Sequence, residues 1–136
     1  MKTSLSLLTA GILSAFSANA SDLVISGVID GPLTGGIPKA VELYVVNDIA
    51  DLSVYGIGTA NNGGGTDGVE FTFPADSASA GSYIYVASEI DGFTTFFGSA
   101  PDYDSRAIGI HAAAAIALFQ TAAVVDTFGA IHLHGS

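Results

Sequence analysis

Apolar residues in this chain recur at every second position in short runs, and glycine, proline, asparagine or aspartate cuts each run within a few residues. A period of two is the period of a strand, whose side chains point alternately to opposite faces. Residues 39–47 are the clearest run: Val41, Leu43 and Val45 point one way, Glu42, Tyr44 and Val46 the other. Residues 22–29 form an opening strand halted by Asp30-Gly31-Pro32, and Gly35-Gly36-Ile37-Pro38 reads as a turn. Residues 52–59 follow, weakened by Gly56 and Gly58, and residues 61–68 have the composition of a loop. Next come a strand at 69–74, with Glu70 and Thr72 facing away from Val69 and Phe71, and a strand at 82–88. Residues 93–98 read as one helical turn that packs Phe93, Phe96 and Phe97 under a loop. Residues 106–110, 115–120 and 124–128 complete a set of about eight strands. That rhythm specifies an all-β antiparallel sandwich or barrel in one domain and leaves no room for alternating strands and long helices.

The first twenty residues are set apart from this pattern. Lys2 precedes a 12-residue apolar run from Leu5 to Phe16, and Ala18-Asn19-Ala20 ends in a small-x-small site. That is the layout of a secretory signal peptide cleaved before Ser21, and its apolar run is shorter than the ~20 residues a membrane span requires. The folded domain is then expected at residues 21–136. Without Lys2 it keeps Lys39 and Arg106 as strong cations against 13 carboxylates, a net charge of −11. So acidic a surface disfavours direct binding to DNA or anionic lipid and favours solubility. The chain has no cysteine, which excludes disulfides, thiolate metal sites and cysteine nucleophiles. An export signal on a cysteine-free chain resembles many secreted proteins of Gram-negative bacteria, so the expected place of work is extracellular or periplasmic.

The strand contents resemble the lamin-tail domain family. The resemblance rests on residues 22–29, on Lys39-Ala40-Val41-Glu42-Leu43-Tyr44-Val45-Val46-Asn47, and on Asp51-Leu52-Ser53-Val54-Tyr55-Gly56-Ile57. It extends through Phe71-Thr72-Phe73-Pro74, residues 80–87 and Val124-Val125-Asp126-Thr127-Phe128-Gly129. It implies an immunoglobulin-like antiparallel β-sandwich. It also implies the version of that module found near the N-terminus of secreted bacterial nucleases, in which a following endonuclease/exonuclease/phosphatase-type domain performs the catalysis. By that resemblance the chain is an accessory module or truncated relative of such an enzyme, with no catalytic residues of its own.

The sequence departs from the family in its last hairpins. His111-Ala112-Ala113-Ala114 stands where a polar turn is usual, and Ala117 where Glu is common. Thr121-Ala122-Ala123 replaces an Asn-Gly type turn. Alanine resists the positive φ of a two-residue hairpin by ~1 kcal/mol or more. The last hairpins are therefore expected to be looser, longer-looped or changed in register.

Each candidate site also has a plainer structural role. His132 and His134 are two apart, so on a strand they share a face and are spaced to clasp a metal, with His111 as a third ligand. The adjoining Gly135-Ser136 reads as a frayed tail. Asp102 and Asp104 alternate in a polar stretch and are candidates for Ca²⁺ in an exposed loop, or simply for turn-making. No other cofactor is expected. Glu42 and Glu70 offer paired carboxylates but read as solvated faces of separate strands. Tyr44, Tyr55, Tyr83 and Tyr85 are candidates for stacking bases or sugars, whereas Phe71, Phe73, Phe119 and Phe128 are assigned to the core.

Two functions fit. One is a non-catalytic secreted module serving an extracellular nuclease that acts on extracellular DNA, with the downstream catalytic domain or another extracellular protein as partner. The other is a self-standing exported protein for binding or surface attachment.

Overall fold

Val41, Leu43 and Val45 lie on one face of a central strand and are fully buried, as their alternation requires. The computed structural model describes residues 20–60, 66, 68–109 and 115–129. In chain order the elements are β1 (Leu23–Leu33), β2 (Ile37–Val45), a 3-10 turn (Leu52–Val54), β3 (Tyr55–Ala60), β4 (Phe71–Thr72), β5 (Tyr83–Ala87), α1 (Ile90–Phe97), β6 (Tyr103–Asp104), β7 (Ala115–Gln120) and β8 (Ala123–Phe128). They form two four-stranded sheets, ordered β1-β2-β5-β6 and β4-β3-β7-β8. The described residues form an all-β domain with eight strands in two sheets.

One hydrophobic cluster draws on both sheets. Val41, Leu43, Ile84 and Val86 come from the first sheet, Ile57, Ile116 and Leu118 from the second, and Leu52, Phe73 and Ile108 from connecting segments. Each such side chain contributes roughly 1.5–3 kcal/mol on burial, against the entropy of ordering the chain. Gly58 in β3 has a packing reason: a methyl group there would run into the Gly68 carbonyl and the Phe119 ring. What weakens the strand as a sequence lets a neighbouring segment cross its outer face.

Several boundaries differ from the sequence expectation. β1 runs through Asp30-Gly31-Pro32 to Leu33, with a ladder irregularity between Asp30 and Leu33. Proline lacks the N–H a ladder needs and is tolerated at such an interruption. The turn lies at Thr34-Gly35-Gly36, where both glycines have positive φ, so Ile37 and Pro38 belong to β2. Residues 52–54 form a 3-10 turn capped by Asp51, whose carboxylate accepts the Ser53 N–H at 2.8 Å. The strand expected at 69–74 shrinks to Phe71–Thr72.

The strand expected at 106–110 is replaced by β6. Beyond it Ser105 donates to the Ala87 carbonyl and Ile108 to the Ser105 carbonyl, and this turn drops Ile108 into the core. β6 runs parallel to β5, against the wholly antiparallel expectation. The cause is α1, which supplies the crossover that lets the chain re-enter the sheet in the same direction. β7 and β8 close through a two-residue loop, with Gln120 opposite Ala123 and with Thr121 and Ala122 at φ of 48° and 64°. Of the departures expected there, the loop is not lengthened but is a tight turn at positive φ, and the register changes at a ladder irregularity around Val125. Residues 1–19, where the leader is expected, and 110–114, the other atypical turn, lie outside the described residues. No helix among the described residues is long and apolar enough to cross a membrane.

Candidate binding face

The residues of β2 and β5 that point away from the core pair across the strands: Ala40 with Ala87, Glu42 with Tyr85, and Tyr44 with Tyr83. The two alanines leave space for α1, whose Phe93 packs on them in a second small cluster joined by Ile29 and Tyr85. α1 is held in place at both ends. Glu89 caps its start by accepting the Gly92 N–H at 2.6 Å, and Gly98 ends it with φ 80°.

Aromatic rings cover this face in two groups, Tyr44 with Tyr83, and Tyr85 with Phe93, Phe97 and Phe96. Tyr44 and Tyr83 lie 5.1 Å apart between centroids, Tyr85 and Phe93 5.7 Å, Phe93 and Phe97 4.6 Å, and Phe96 and Phe97 4.9 Å. Tyr83, Phe96 and Phe97 are 52%, 49% and 44% exposed. Phe96 and Phe97 therefore face solvent and are not packed under a loop as expected; only Phe93 reaches the sheet. Their spacing in sequence puts all three on one side of a helix, but that side overhangs the sheet. Glu89 and Gly98 as caps were the signals for a helix longer than one turn.

Two carboxylates grip Tyr85. Its hydroxyl donates to Glu42 at 2.8 Å and its backbone N–H to Asp102 at 2.8 Å. The hydrogen bond to Glu42, with some desolvation, raises the Tyr85 phenol above its ordinary pKa. Glu42 also accepts from the Ser26 hydroxyl. The face can therefore stack on planar or cationic groups and accept hydrogen bonds.

The other candidates fall elsewhere. Tyr55 is buried in the core cluster, which removes it from the stacking set, and Phe128 is 45% exposed on β8 where core burial was expected. Phe73 and Phe119 are buried, and Phe71 is half-buried against the core. Glu42 and Glu70 sit on different sheets. Glu70 bonds back to its own sheet, accepting the Thr59 N–H and hydroxyl at 2.6 Å each. Asp102 and Asp104 are both exposed; Asp104 belongs to β6, and the Asp102 carboxylate accepts a β5 backbone N–H. His111, His132 and His134 lie outside the described residues. Among the described residues no group of three His, Cys, Asp or Glu side chains is placed to hold a metal ion.

The carboxylates show a role that sequence reasoning missed. Asp102 accepts a backbone N–H of β5 beyond the short β6 ladder, Glu70 one of β3 beyond β4, and Asp126 that of Ile25 in β1. Each satisfies a strand donor that the neighbouring ladder leaves open, and a charge there also deters edge-to-edge pairing. Compared with known proteins, the chain matches no family model, no curated protein and no solved structure.

Proposed function

We propose that this chain is an exported, non-catalytic module of lamin-tail type, with an immunoglobulin-like sandwich fold, serving an extracellular bacterial nuclease that acts on DNA outside the cell. The observation that carries the non-catalytic part is the use of its acidic side chains. Glu42, Glu70, Asp102 and Asp126 are engaged with the protein's own backbone and hydroxyl groups and do not converge on a cleft. The nuclease connection comes from the strand motifs around Glu42 and Tyr55. A net charge of −11 makes a protein the natural partner, either the downstream catalytic domain or another extracellular protein, since DNA itself is repelled.

The exposed aromatic face supports a second reading, a self-standing exported protein for binding or surface attachment. The two separate on the gene. A reading frame that continues past the Ser136 codon into a metal-dependent nuclease domain is the outcome expected of the first, and a stop codon there favours the second.

A further inference from the structure

We propose that the aromatic face of β2, β5 and α1 is a docking surface for an arginine- or lysine-rich segment of a partner protein. This deepens the reading of the chain as a binding module and is independent of the nuclease connection.

Two observations select a cationic occupant. First, neighbouring rings are tilted, by 52° for Tyr44 and Tyr83, 54° for Tyr85 and Phe93, and 72° for Phe96 and Phe97. An extended neutral polysaccharide stacks best on coplanar rings, whereas tilted rings leave notches that take single side chains. One such notch, of about 220 Å³, is lined by Tyr85, Phe93, Phe97 and Ser99. Second, the rings stand beside Glu42 and Asp102, and neither carboxylate forms an ion pair with any of the described residues. The one ion pair among the described residues joins Lys39 to Asp30 and involves neither of these carboxylates. Electron-rich ring faces next to unneutralised carboxylates attract guanidinium and ammonium groups by cation–π contact and Coulomb attraction together. An anionic partner meets the opposite field.

The test is titration of the chain from Ser21 onward with a synthetic peptide of alternating Arg and Gly, followed by calorimetry and by tyrosine fluorescence. The chain has no tryptophan, and three of its five tyrosines, Tyr44, Tyr83 and Tyr85, stand on the face, so a change in tyrosine fluorescence that the Tyr83→Ser variant reduces reports on it. Binding is expected to weaken about tenfold on raising salt to roughly 0.5 M. Tyr83→Ser with Phe97→Ser leaves the charge unchanged and is expected to cost about tenfold or more. Glu42→Gln with Asp102→Asn keeps the acceptors and is expected to remove most of the salt dependence. Val54→Ser, an exposed apolar site on the 3-10 turn, is the control and leaves binding unchanged. Circular dichroism of each variant establishes that it is folded.

Three results overturn the proposal: no binding of the Arg peptide, binding that the ring substitutions leave intact, or salt-independent binding of a neutral glucan oligosaccharide in its place. None of them bears on the gene-level test of the nuclease connection, so the two readings fail separately.

Discussion

The carboxylate of Asp126 in β8 accepts the backbone N–H of Ile25 in β1 at 2.8 Å, tying the outer strand of one sheet to the outer strand of the other. The bond spans 101 positions of sequence, and Asp126 also accepts the Thr127 N–H at 2.9 Å. It sits beside irregularities in both ladders, after Ile25 in β1 and around Val125 in β8, which turn the two edges toward each other.

Removing this acceptor leaves a half-buried donor unpaired. Asp126→Ala is expected to destabilise the domain by about 1–3 kcal/mol, while Asp126→Asn, which keeps an oxygen in place, costs less than half as much. Urea unfolding of the two variants side by side checks the ordering. Equal losses would mean that the charge, and not the hydrogen bond, joins the sheets.

The β7–β8 turn carries a strain that substitution can relieve. Ala122 at φ 64° lies in the left-handed region that glycine enters freely. Ala122→Gly, or the pair Thr121→Asn and Ala122→Gly, is expected to raise stability by about 1 kcal/mol in thermal or denaturant unfolding.

Glycine at position 58 works in the opposite sense. Because a Cβ there meets the backbone carbonyl of Gly68, Gly58→Ala is expected to cost about 1–3 kcal/mol despite the better strand propensity of alanine. A neutral result in urea unfolding would show that residues 68–70 can move aside freely.

Stability should fall steeply in alkali, and Tyr103 is the main cause. Desolvation, reinforced by the hydrogen bond its hydroxyl donates to Asp76, pushes its phenol from 10.0 up to about 12. A group whose folded pKa is raised contributes stability that is complete below the unfolded value and is lost as the pH rises through the folded one. The loss therefore falls between about pH 10 and pH 12. In Tyr103→Phe the slope over that window is expected to flatten, leaving the smaller contributions of Tyr55 and Tyr85, whose phenols are also raised. Denaturant midpoints measured across the window provide the comparison.

Much of the architecture was legible because burial in strands leaves a period of two. The row Val41-Leu43-Val45 is assigned to one side from sequence and lies in the core. Ranges led by glycine and proline were harder to read, since Gly31 and Pro32 mark an irregular stretch of β1 as readily as a stop. β6 is only two residues long and is held by a ladder to β5 that no local pattern announces. Phe128 illustrates a different gap: alternation gives a side chain's direction, but β8 is an outer strand and covers less of the core. The binding face was half legible. Tyr44, Tyr83 and Tyr85 were candidates from sequence, whereas the contribution of Phe96 and Phe97 depends on where α1 docks. The edge-bonding role of Asp102 and Asp126 was invisible, because it rests on pairings between residues far apart in the chain.

The proposed function assigns the carboxylates of this domain to holding its strands, with no chemistry on a substrate. Incubating the chain from Ser21 onward with plasmid DNA, in the presence of Mg²⁺ or Ca²⁺, tests it most directly. Intact plasmid over hours at high protein concentration is the predicted result; metal-dependent nicking that disappears in Glu70→Gln or Asp102→Asn would contradict it.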